Sequence, residues 1–170
     1  MRALIGAVVV SLSIASTAAA SIIRFELTNV AGSTWQYDYS VENDSLVGPL
    51  EEFSIFFELG LYESLSVAAT PEGWDGLVAQ PDAEIPDDGF FDAIALSDGI
   101  AAGTELSGFS VRFDWLGTGI PGSQAFDIVD PLSLETIESG QTVPEPGALA
   151  LVLAGLGLVA ERRVRRRATP

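Results

Sequence analysis

The stretch Trp35-Gln-Tyr37-Asp-Tyr39-Ser-Val41-Glu42 decides the fold. Its odd positions carry aromatic or branched apolar side chains and its even positions polar or charged ones. A period of two puts one set on a core and the other in water, the pattern of a half-buried antiparallel strand. Helical spacing fits it poorly. Ile23-Arg-Phe25-Glu-Leu27-Thr28 repeats the pattern. So does Phe53-Ser-Ile55-Phe-Phe57-Glu-Leu59, where Phe56 is the one apolar residue on the outer face. Phe109-Ser-Val111-Arg-Phe113-Asp-Trp115 follows, then, more weakly, Ala125 to Val129.

Turn-forming clusters separate these stretches: Asn43-Asp44-Ser45, Gly48-Pro49, Pro71-Glu-Gly73, Asp87-Asp88-Gly89 and Gly117 to Gly122. Short alternating strands with such punctuation predict an all-β protein, a single antiparallel β-sandwich domain. Phe25, Trp35, Tyr37, Tyr39, Phe53, Phe57, Phe109, Phe113 and Trp115 are the candidate core. Each aromatic removes about 150–250 Å² from water when buried, enough for a domain without disulfides. The middle of the chain is less regular, with strands predicted at Leu61–Val67 and Ala93–Leu96 and a strand or edge from Ile100 to Leu106. The strand from Trp35 to Asn43, followed by the Phe53 strand, resembles the opening of an immunoglobulin-like or cohesin-like sandwich. That resemblance implies an architecture and no activity.

Composition removes several classes of function. The chain has 24 acidic and eight basic residues. Between Ser21 and Val143 the basic residues are Arg24 and Arg112 alone, against 22 acidic ones. Such a surface repels nucleic acid and anionic lipid. Arg24 and Arg112 fall on outward strand faces and are expected to pair with carboxylates. Cysteine, histidine and lysine are absent. Zinc sites, cysteine nucleophiles, histidine-dependent triads and lysine Schiff bases are therefore excluded. Acid–base chemistry is left to carboxylates and tyrosine. Carboxylate pairs such as Asp114 with Asp127, or Glu58 with Asp38, would suit glycoside hydrolysis by distance alone, but 22 acids place some pair at that distance by accident. No enzyme and no obligatory cofactor is expected.

Two binding candidates stand beside plainer readings. Asp82, Glu84, Asp87, Asp88, Asp92 and Asp98 crowd one loop-rich stretch. Oxygen ligands suit Ca²⁺, with Asp87, Asp88 and Asp92 as the candidate metal ligands, although the spacing is not that of an EF-hand loop. The plainer reading is a solvated acidic loop. Trp74, in Pro71-Glu-Gly-Trp74-Asp75-Gly76, reads as a loop indole. It would stack on a sugar ring with Asp75 accepting hydroxyl hydrogen bonds, or it folds over the end of the core.

The two ends of the chain carry addresses. Met1-Arg2, the apolar stretch Ala3 to Ile14 and the A-x-A-like Ala18-Ala19-Ala20 match a secretory signal peptide over residues 1–20, cut after Ala20. At the other end, Val143-Pro144-Glu145-Pro146 resists helix and predicts an extended, exposed hinge within a linker over 138–146. A transmembrane helix is predicted over 147–161, led by the 14-residue apolar run Gly147 to Ala160. At 1.5 Å per residue that run spans about 21 Å, short of a hydrocarbon core of about 30 Å, so it suits a temporary hold. Residues 162–170 form a basic tail, in which Arg162, Arg163, Arg165, Arg166 and Arg167 fix the cytoplasmic side.

This composite tail resembles the PEP-CTERM sorting signal of exported Gram-negative bacterial proteins. The resemblance covers residues 143–167. It implies that Pro144, Glu145 and Pro146 are recognised by an exosortase, a membrane transpeptidase-like enzyme. It also implies transit through the general secretory machinery, a transient stay in the inner membrane, and a final place at the cell surface or outside. The expectation for residues 21–137 is a non-enzymatic β-sandwich ectodomain with a structural or adhesive role in an exopolysaccharide or biofilm matrix. The alternative is a carbohydrate- or calcium-binding module of that matrix.

Overall fold

A computed structural model describes residues 20–145 and Gly147 of the 170-residue chain. Ala18, the apolar segment beyond Gly147, Pro146 and the five arginines of the tail lie outside the described residues. Ten strands follow in chain order: β1 (Ile22–Ala31), β2 (Thr34–Glu42), β3 (Glu52–Phe57), β4 (Tyr62–Ala69), β5 (Trp74–Ala79), β6 (Gly89–Ala95), β7 (Glu105–Trp115), β8 (Ala125–Val129), β9 (Thr136–Gln141) and β10 (Val143–Pro144). They form two five-stranded sheets, ordered β10-β1-β2-β7-β4 and β5-β6-β3-β8-β9. Every pairing is antiparallel except that of β10 with β1. Among the described residues no helix is long and apolar enough to cross a membrane.

The alternation read from the sequence sets the packing. On β2, Tyr37 and Tyr39 are buried opposite Leu27 and Phe25 of β1 and opposite Val111 and Phe109 of β7. On β3, Phe53 and Ile55 are buried opposite Ala93 and Phe91 of β6 and opposite Ile128 and Phe126 of β8. The two buried faces then meet. Phe53 approaches Phe109 of the other sheet edge-on, with ring centroids 5.0 Å apart, and Phe57 meets Tyr62 in the same way at 5.1 Å. Edge-to-face pairs add about 0.5–1.5 kcal/mol each to the area they bury. This is the sandwich expected, with five strands in each sheet where a seven-stranded immunoglobulin constant domain has four and three.

Several expectations need correction. Trp35 and Trp115, expected in the core, are partly buried and pack on its flank, whereas Trp74 is buried in the core, the plainer of its two readings. Of the linker expected over 138–146, the described residues 138–145 are not free. Glu138 to Gln141 lie in β9, paired with β8, and Val143 and Pro144 pair with Arg24 and Phe25. The folded unit therefore runs beyond residue 137, to Glu145. Proline is tolerated at this point because β10 is an edge strand. Along a strand, backbone groups point alternately to either side, and it is the Glu145 N–H that bonds β1. The missing N–H of Pro144 thus falls on the unpaired side.

Candidate functional site

The described part of the tail is docked on the domain. Thr142, just before β10, is fully buried. Its N–H donates to the Gln124 carbonyl at 2.8 Å, and its hydroxyl accepts from the Gln124 N–H and reaches Gln124 Oε1, both at 2.9 Å. Beyond this anchor the Glu145 N–H donates to the Phe25 carbonyl at 2.9 Å. The Glu145 carboxylate accepts from the Ser40 hydroxyl at 3.2 Å. Arg24 stands on the same edge, bonded to Glu42 at 2.7 Å and Glu105 at 2.8 Å. Its pKa is raised, first by the bond to Glu42 and, against the effect of burial, by the charges of Glu42, Glu105 and Glu145. Arg112 differs from expectation: its guanidinium meets the Gln36 side chain at 3.0 Å, not a carboxylate.

A cleft of about 390 Å³ opens where the end of β3 meets the loop before β8. Phe56, Tyr62 and Trp115 give it aromatic walls, and Glu58, Asp88, Gln124 and Gln141 give it polar ones. Its floor is tied together by Gln124, whose amide donates to the Gly122 carbonyl at 2.8 Å and contacts the Tyr62 hydroxyl at 3.4 Å. The Tyr37 hydroxyl donates to the same carbonyl at 2.7 Å. Asp88 holds the Leu59 N–H at 2.7 Å. None of these residues shares a sequence motif; the fold alone collects them.

The candidates read from the sequence fare unevenly. Trp74 opens β5 and is 6% exposed, packed on Phe53 and edge-on to Phe109 at 5.2 Å. It presents no free ring face to a sugar, and the neighbouring Asp75 bonds its own chain at the Gly76 N–H, 2.9 Å away. Asp87 closes a small backbone bridge with Asp82, Asp88 caps Leu59, and Asp92 accepts from Ser54 at 2.6 Å. Among the described residues no three carboxylates are grouped to hold a metal ion. Asp114 and Asp127 fall in different sheets, not on neighbouring strands. Asp114 accepts from Thr34 and Asp127 from Ser139, each at 2.6 Å. Of the signal-cleavage pair, Ala20 is described and exposed.

Comparison with known proteins places the tail and leaves the body open. Among curated proteins, none matches the chain. Solved structures that match part of the chain include a GH20 exo-β-N-acetylglucosaminidase from Vibrio harveyi and the chitin-binding domain of Chi18aC from Streptomyces coelicolor. Each is 12% identical with a TM-score of 0.38 over 74% of this chain. The aligned part spans 18% of the Vibrio enzyme and 95% of the Streptomyces domain. Likeness at that level carries no ligand or activity to this chain. The C-terminal segment is different: residues 142–167 match the PEP-CTERM protein-sorting motif, which implies export and recognition by an exosortase.

Proposed function

We propose that this chain is a surface-displayed or extracellular β-sandwich with a structural or adhesive role in an exopolysaccharide or biofilm matrix, and that it has no catalytic activity of its own. In this reading a signal peptide over 1–20 starts export and the helix over 147–161 holds the precursor briefly in the inner membrane. An exosortase then acts at Pro144, Glu145 and Pro146. The observation that carries the reading is the sorting motif at 142–167, whose first residues form the last strand of the folded body. An acidic, cysteine-free sandwich with a large aromatic core fits a stable exported module. Mass spectrometry of the protein isolated from the surface of its native host tests this. The expected chain begins at Ser21 and lacks the arginine tail, whereas a cytosolic chain ending at Pro170 overturns the reading.

A second reading is favoured by the cleft rather than by Trp74. Aromatic walls beside carboxylates and amides suit a neutral sugar, with rings against apolar faces and hydroxyls on polar groups. Titration with soluble oligosaccharides is the test. Binding that weakens at least tenfold in Glu58→Gln and Gln141→Ala supports a carbohydrate-binding module; binding unchanged by both removes the cleft from consideration.

A further inference from the structure

The sorting motif is not simply exposed. Val143 and Pro144 are paired to β1, the Glu145 N–H is bonded to Phe25, and the Glu145 carboxylate is held by Ser40. Buried Thr142 anchors the segment from behind. Only Pro146 separates Glu145 from the apolar run that starts at Gly147. Two extended residues reach about 7 Å, so a precursor held by that run keeps this sandwich edge against the membrane surface. An enzyme that works on a peptide segment needs its backbone free and room on both sides. In the folded chain one side of residues 143–145 is already bonded to β1, and the sandwich fills the space next to it.

We propose that β10 is a releasable strap: the motif must peel from β1 before the sorting enzyme can take it, so strap release sets the rate of tail removal. The proposal rests on the exosortase reading above. The strap is built for release. It is two residues long, lies at the sheet edge, and leaves Val143 41% exposed. Ser40 acts on it as a positioning residue, through its hydrogen bond to Glu145.

The register supplies a lock. Arg24 and Val143 are direct partners across β1 and β10, and the chain has no cysteine of its own. In the double variant Arg24→Cys with Val143→Cys, a disulfide formed on export would fasten the strap. Tail removal is followed by mass spectrometry in a host that carries the sorting enzyme, beside wild type and each single-cysteine variant. A melting temperature of the locked chain no lower than that of the singles shows that it has folded. The locked chain is expected to lose its tail at least tenfold more slowly than the singles, and a thiol reductant is expected to restore the rate. A folded, locked chain processed as fast as the singles overturns the proposal alone. A wild-type chain that keeps residues 147–170 overturns the sorting reading, and the proposal with it.

Discussion

The backbone nitrogen of Ser21 donates a hydrogen bond of 3.0 Å to Glu138 Oε2, tying the start of β1 to β9 of the opposite sheet. Ser45 donates to the other oxygen of the same carboxylate, and its hydroxyl lies 3.1 Å from that of Ser21. Cleavage after Ala20 would turn the Ser21 amide into an ammonium group and the hydrogen bond into a charge-assisted one. Burial alone would raise the Glu138 carboxyl, but the bonds from Ser45 and Ser21 outweigh it and hold it below the usual 4.5. A depressed carboxylate stabilises the fold above its unfolded pKa and loses that contribution as pH falls through the folded value. Glu138→Gln is therefore expected to cost about 1 kcal/mol at pH 7 in a chain starting at Ser21. The cost should be smaller when one extra residue precedes Ser21, and it should fade below about pH 4.5. Urea unfolding of both chains checks it.

Glu52 presents the opposite case. It is 8% exposed, and its Oε2 has no hydrogen-bond partner. Burial first, then the charges of Asp92 and Asp130, raise its carboxyl above the ordinary 4.5. Asp92 is also raised by burial, with the Ser54 bond working against it. A carboxylate raised in the folded state destabilises that state as pH rises above the unfolded pKa, and does so in full once pH passes the folded value. Glu52→Gln should stabilise the domain at pH 7, with the gain shrinking to nothing as pH falls to about 4.5. Thermal melts at pH 7 and pH 4.5 would show the difference.

Gly140 lies under the ring of Phe126. A Cβ there would come 2.6 Å from Phe126 Cζ, so the ring or the strand must shift. Gly140→Ala is expected to cost about 1–3 kcal/mol, as overpacking does, measured by denaturant unfolding.

Trp74→Ala should cost about 3–5 kcal/mol, the range for deleting a large buried aromatic. Trp74→Phe should recover most of it, because Phe53 and Phe109 keep an aromatic neighbour. Any glycan binding should survive Trp74→Phe, which an exposed stacking platform would not predict.

These cases also show how far the sequence could be read. Strands β2, β3 and β7 were legible because strict alternation leaves one reading for residues such as Tyr37, Phe53 and Phe113. β5 was hidden because Gly76 makes Trp74-Asp-Gly-Leu-Val-Ala look like a loop. Glycine is needed there because a Cβ would lie 2.7 Å from a Thr70 methyl and 3.0 Å from the Phe91 ring. β9, Thr-Ile-Glu-Ser-Gly-Gln, has one large apolar residue, and Phe126 of β8 covers its glycine, so its own sequence carries almost no period. The Pro-Glu-Pro motif was legible as an address because proline, apolar run and arginines are contiguous. Its docking was not, since Ser40 and Phe25 are more than a hundred residues away. The cleft was invisible for the same reason: Glu58, Asp88 and Gln124 are joined only by the fold.

Alkaline pH should unfold the domain through its buried phenols. Tyr39 is 2% exposed, and burial, helped by the charges of Tyr62 and Asp38, holds its hydroxyl well above the ordinary 10. Burial also raises Tyr37, with Tyr62 adding to the effect and the Gln124 side chain opposing it. A phenol raised in the folded state contributes stability that is intact below its unfolded pKa and is lost as pH climbs above it. Above pH 10, each such tyrosine should remove up to about 1.4 kcal/mol of stability per pH unit. Ionisation followed by ultraviolet absorbance should therefore show the Tyr37 and Tyr39 phenols titrating together with loss of the fold. Tyr39→Phe is the clean variant, because its hydroxyl makes only a 3.4 Å contact with Gln124. It should leave stability at pH 7 within about 1 kcal/mol of wild type while moving the alkaline unfolding midpoint upward. An unmoved midpoint, or two phenols that ionise while the sheets stay intact, would mean that water reaches the centre of the sandwich.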